Sequence, residues 1–85
     1  MYTYIEDSIQ KSVMQIDELT EVYEFQFLGV DENDNQTLFF LVIYNEVGNT
    51  LTYQKFKDRM IEDYEGMPDF GFSEEDYQKM WDEAA

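Results

Sequence analysis

The chain has 85 residues, and its 20 Asp and Glu against 5 Lys and Arg leave a formal charge of −15. It contains no Cys and no His, which excludes disulfides, thiolate chemistry, imidazole acid–base catalysis and the usual zinc sites. Like charges held in a compact body repel one another, so this balance works against folding and points to use of the field on a basic partner.

Acidic chains are often disordered, but those chains lack aromatic and branched residues. Here 18% of residues are aromatic, enough to build a core, and the length suits one domain over residues 1–85. The longest apolar run, Leu38 to Tyr44, is far too short to cross ~30 Å of hydrocarbon. No charged-then-apolar leader opens the chain, so a cytoplasmic setting is expected. The negative charge also disfavours anionic membranes and nucleic acid as direct partners.

From Tyr2 to Leu19 the apolar residues Tyr2, Ile5, Ile9, Val13 and Ile16 fall at steps of three and four, which predicts an amphipathic helix. The period then changes. Thr20–Val30 and Thr37–Tyr44, rich in Phe, Tyr, Val and Ile, read as strands joined by the polar hairpin connection Asp31–Gln36. In the first, Tyr23, Phe25 and Phe27 share a face. In the second both faces are apolar, which predicts a central strand covered on both sides. Asn45–Asn49 reads as a turn, and Thr50–Tyr53 as a short third strand completing an antiparallel meander. Phe56, Met60, Tyr64 and Met67 return to helical spacing, and Gly66 and Pro68 stop that helix. Ser73 has the position of an N-cap for a last helix running through Trp81, with Phe72 and Tyr77 spaced as a hydrophobic staple. The predicted fold is α+β, in the order α-β-β-β-α-α.

The acids are concentrated towards the C-terminus. Asp58, Glu62 and Glu65 are four and three residues apart, so they line one side of the second helix, roughly 5–6 Å apart along its axis. That spacing is comparable with phosphates along a DNA strand, so the stripe can stand in for a backbone. Glu46, Asp69, Glu74, Glu75 and Asp76 join it as candidate partner-binding residues. Among the interleaved aromatics Tyr64, Phe70, Phe72, Tyr77 and Trp81, most are expected in the core, and one or two beside Met67-Pro68-Asp69 as anchors for a partner.

Three of the five bases cluster at Lys55, Lys57 and Arg59. They read as local neutralisation, Lys55 with Asp58 and Arg59 with Glu62 or Asp63. Asp31-x-Asn33-x-Asn35 opens like an EF-hand loop, but the sixth and twelfth positions hold Gln36 and Val42 where Gly and Glu are needed. It reads as a hairpin loop, and no metal or cofactor is expected. Paired carboxylates can hydrolyse glycosides, but that chemistry needs a cleft for which this layout leaves little room. The chain is expected not to be an enzyme.

Small size, strong acidity, the lack of Cys and the predicted order of elements together resemble the small Cas9-inhibiting anti-CRISPR proteins of Listeria prophages. Asn45–Asn49, with Gly48-Asn49, resembles that group's turn between its second and third strands. Glu74-Glu75-Asp76 resembles its acidic entry to the last helix. The chain departs from the group at Val47 and in the loop from Met67 to Phe72. The resemblance implies a phage-encoded protein of the host cytoplasm that occupies the site where a CRISPR effector reads DNA.

The leading expectation is therefore an acidic inhibitor, monomeric or weakly dimeric, of a basic nucleic-acid-binding protein such as a nuclease or CRISPR effector. The alternatives are an immunity protein or antitoxin for one dedicated nuclease, and a non-enzymatic adaptor or oligomeric structural domain.

Overall fold

Tyr23, Phe25 and Phe27 alternate with polar Glu24 and Gln26, and that alternation sets the frame. The computed structural model of the chain describes residues 1–67 and 71–85. Its elements are β1 (Thr3–Tyr4), β2 (Gln10–Gln15), β3 (Thr20–Val30), β4 (Gln36–Glu46), α1 (Tyr53–Tyr64) and α2 (Glu74–Ala84). All strand pairs are antiparallel. β4 runs along one edge of β3 from Thr20↔Glu46 to Val30↔Gln36, and β1 and β2 follow one another along the other edge. The fold is α+β, but the order is β-β-β-β-α-α.

The predicted N-terminal helix over Tyr2–Leu19 is thus corrected to two strand segments and a turn. Between them the chain advances from Ile5 to Gln10 while the facing residues of β3 advance only from Leu28 to Gln26. Asp7 takes up the excess in the left-handed region, at φ 63°. The bulge is why Tyr4 and Ile9, five apart, both reach the core. It also places apolar residues at apparent helical steps. What decides for strand is non-local: an unpaired edge of β3 takes the segment as a ladder partner. Ser8 Oγ repairs the interrupted ladder, accepting from Leu28 N–H at 3.0 Å and donating to the Ile5 carbonyl at 2.6 Å.

Two further expectations are corrected. β3, not β4, is the central strand, and β4 is an edge covered on one face only. Its inward residues Phe39, Leu41 and Ile43 are buried, while Leu38, Phe40 and Tyr44 point outward and are exposed. Thr50–Tyr53 is no strand: Leu51 is buried, and the Thr52 hydroxyl caps α1 by accepting from Lys55 N–H at 3.2 Å. The cap outcompetes pairing because β4's free edge is already faced by the helix that follows.

Both helices pack on the same face of the sheet. Phe56 and Met60 of α1, and Tyr77 and Met80 of α2, close over Phe25, Phe27, Phe39, Leu41 and Ile43. Phe27 and Phe39 stack with centroids 5.3 Å apart, and Phe72 meets both edge-on at 5.6 and 5.5 Å. Gly29 makes room for this: a Cβ there would lie 2.9 Å from the Phe39 ring and 3.1 Å from that of Phe72. Ser73 caps α2 as its position predicts, accepting from Asp76 N–H at 3.1 Å, and Phe72 lies 6.3 Å from Tyr77 as the staple requires. α1 ends at Tyr64, ahead of Gly66. The predicted stop at Pro68 lies outside the described residues.

The Asp31–Gln36 segment is a hairpin turn as expected. Asp31 Oδ1 accepts from the N–H groups of Asn33 and Asn35 at 2.8 and 3.0 Å, and Asp34 adopts φ 61°. Those two bonds hold the Asp31 carboxyl below the usual range, the one from Asn35 most of all.

The far end of α2 ties down the N-terminal bulge. Glu83 accepts from the Tyr4 hydroxyl and, at 2.7 Å, from Asp7 N–H. Burial, and then the bond to Glu83, push the Tyr4 hydroxyl up to about 12. Tyr53 is likewise raised to about 12, by desolvation and by its bond to Glu74. An unfolded chain ionises its tyrosines near ~10, so above that pH it releases protons that the native state still holds. Stability is therefore fully present below ~10 and falls as pH rises towards 12. Denaturant midpoints should be level from about pH 7 to 9, fall above ~10, and fall less steeply in Tyr4→Phe. An equally steep fall in that variant would remove Tyr4 from the account.

Candidate functional site

α1 presents the charged surface because Phe56 and Met60 fix which side of it faces the sheet. At 3.6 residues per turn the opposite side carries Asp58, Glu62 and Glu65, and all three are exposed. Asp58 and Glu62 flank a depression of about 500 Å³ between α1 and β4, which Tyr44, Lys55 and Arg59 also line. Asp58 accepts from Gln54 Nε2 at 2.8 Å, one turn back.

The bases beside this stripe are already committed. Lys55 does not pair with Asp58 as expected. Its ammonium reaches the free edge of β4 instead, donating to the Tyr44 carbonyl at 3.1 Å and to Asn45 Oδ1 at 2.8 Å. Arg59 pairs with Asp63, one of its two expected partners, its Nε 3.1 Å from Oδ1 but off the hydrogen-bond direction. Lys57 crosses to Glu74 on α2, which also accepts from Tyr53 OH at 2.8 Å.

The structure divides the remaining candidates. Glu74 is a tie between the helices: Lys57, and then Tyr53, hold its carboxyl below the ordinary range. Glu75 is exposed and Asp76 half-buried in the first turn of α2, where the helix dipole favours anions. Glu46 closes β4 and accepts from Asn49 Nδ2 at 3.1 Å. Asp69 lies outside the described residues, as does Phe70. Of the aromatics considered as anchors, Phe72 and Tyr77 are buried and Tyr64 and Trp81 half-buried. Trp81 packs on Phe56 at 5.5 Å between ring centroids. The Tyr64 hydroxyl bridges the edge of β4, accepting from Phe40 N–H at 3.0 Å and donating to its carbonyl at 2.5 Å.

Of the chain's 20 acidic residues, only Glu6, Glu32, Asp63 and Glu74 form ion pairs among the described residues. Among the described residues, most of the carboxylates therefore have no cationic partner. Their charge is unevenly placed. The outer face of the sheet, opposite the helices, carries Glu24 in its middle and Glu46 at its end, among Val22, Leu28, Leu38, Phe40, Val42 and Tyr44. Sequence reasoning missed this split, although the two-sided apolar run of β4 was its signal. Among the described residues no three acids gather as a metal cluster, and no helix is long and apolar enough to cross a membrane. Comparison with protein-family models, with curated proteins and with solved structures found no match.

Proposed function

We propose that the chain is a non-enzymatic acidic inhibitor that binds a basic nucleic-acid-binding protein, a nuclease or CRISPR effector, and blocks its DNA site by phosphate mimicry. One observation carries this reading. Asp58, Glu62 and Glu65 stand exposed along one side of a helix whose opposite side is anchored in the core, and the neighbouring bases are turned to other partners. A groove built for DNA carries Arg and Lys that attract such a stripe from a distance. On contact, carboxylates accept the bidentate bonds that phosphates or guanine edges would accept. A helix packed on a sheet presents them without the ordering cost of a flexible acidic tail. Glu75 and Asp76 add acids in the first turn of α2, Glu46 lies at the end of the outer face of the sheet and apart from the stripe, and Glu74 contributes mainly to the fold. The resemblance to prophage anti-CRISPR proteins loses its order of elements and its turn between strands, because the order is β-β-β-β-α-α and Asn45–Asn49 leads from β4 into α1. Size, charge and the acidic entry to α2 are what it still lends this reading.

The test is capture of partners from nuclease-treated bacterial lysate with and without excess duplex DNA. Capture of one DNA-binding protein, displaced by DNA, is the expected result. The triple variant Asp58→Asn/Glu62→Gln/Glu65→Gln should weaken that capture by about 100-fold, at ~1 kcal/mol for each lost charge contact. Capture unaffected by DNA, or by the triple variant, would sink the mimicry. An immunity protein would behave alike but hold a single cognate nuclease, so the captured protein's identity separates the two.

A further inference from the structure

The two edges of the sheet are treated differently. β4's edge is guarded by α1, with Tyr64 on the Phe40 main chain and Lys55 on the Tyr44 carbonyl. β2's edge is not: all of Gln10–Gln15 is exposed. The bond from Ile16 N–H to Thr20 O sets the ladder so that even-numbered residues of β2 face β3. The N–H and C=O groups of Lys11, Val13 and Gln15 therefore point away from the sheet, and among the described residues no hydrogen bond reaches them. An open edge of this kind is a template for another strand.

We infer that β2 is a self-pairing edge: a second copy of the chain adds its own β2 antiparallel across a two-fold axis at Val13. Charge selects this occupant. Gln10–Ile16 holds no acidic residue and one lysine, so it is a segment where two strongly acidic chains can meet without opposing carboxylates. It is also self-complementary. With Val13 opposite Val13, Lys11 of each copy faces Gln15 of the other and lies diagonal to its Asp17, ~7–8 Å away and within reach of a lysine. Lys11 makes no ion pair within its own chain among the described residues. The Asp17 carboxyl, held low chiefly by Leu19 N–H, is charged and ready to receive it. About six backbone hydrogen bonds close the ladder. On the helix side the half-exposed Val13 residues meet between the flanking Tyr23 rings, their register partners on β3. A contact ~20 Å long is small, so the dimer is weak, of order micromolar or above. This inference does not rest on the inhibitor reading, which concerns the opposite edge of the sheet.

Sedimentation velocity of the full chain from about 1 µM to 1 mM at ~0.15 M salt tests it. The expected result is a monomer–dimer equilibrium that Val13→Pro and Lys11→Glu each weaken at least about tenfold. Proline at 13 removes an N–H that faces away from β3, so the native ladder is retained. Should that variant nonetheless misfold, Lys11→Glu at an exposed position decides the matter alone. Phe40→Glu, on the outer face of the sheet, should leave the equilibrium unchanged. A monomer at every concentration would overturn the inference, and so would a dimer indifferent to Lys11→Glu or dissolved by Phe40→Glu.

Discussion

Phe39→Ala should cost the fold about 3–5 kcal/mol, while Phe40→Ala, its neighbour on the same strand, should cost about 0.5 kcal/mol or less. Phe39 is 2% exposed and its ring touches those of Tyr2, Phe27, Tyr64 and Phe72, at centroid distances of 5.1 to 5.5 Å. Truncation removes its transfer energy and leaves a cavity that four stiff rings cannot collapse to fill. Phe40 is 56% exposed on the outer face, and the bonds from its main chain to Tyr64 do not depend on its side chain. A domain of this size has ~4–13 kcal/mol in all, so Phe39→Ala should lower Tm by roughly 15–30 °C. Thermal melts of the two variants read the contrast directly. Equal losses would mean that something covers both faces of β4, and the sheet could not then be a single layer backed only by α1 and α2.

That contrast marks where the sequence stops being informative. The hairpin was legible because Tyr23, Phe25 and Phe27 alternate with polar residues and Asp31–Gln36 is turn chemistry. The helices were legible from Phe56 and Met60 and from the Ser73 cap with its Phe72–Tyr77 staple. The outward face of β4 was not, since Leu38, Phe40 and Tyr44 are as apolar as Phe39 and Leu41, and only the number of layers distinguishes them. The first strand was illegible for another reason. A bulge at Asp7 shifts the phase of the apolar residues, and neither the shift nor the partner strand is encoded locally. At the candidate site the stripe of Asp58, Glu62 and Glu65 followed from helical spacing alone. The capture of Glu74 by Lys57 and Tyr53 did not, because it depends on how α1 and α2 pack.

The response to salt should be large and should differ in sign between folding, self-association and partner binding. At ~0.01 M the Debye length is about 30 Å, which exceeds the 13.3 Å radius of gyration, so each unpaired carboxylate feels nearly all the others. At ~0.5 M it is about 4 Å, and only immediate neighbours interact. Salt therefore relieves the self-repulsion of −15 charges in a compact body, and Tm should rise by several degrees over that range. The ion pairs Glu6–Lys79, Lys57–Glu74 and Arg59–Asp63 weaken at the same time, but exposed pairs contribute only ~0–1 kcal/mol each. Association of two equally acidic copies through β2 should strengthen for the same reason that Tm rises. Capture of a basic partner should fall by two or more decades, because there the screened interaction is the attraction itself. Melting curves, sedimentation and capture over one salt series read all three. A Tm that fell from the lowest salt upward would mean that the acids are balanced within the fold, and the stripe on α1 would then lose its claim to be a surface held for a partner.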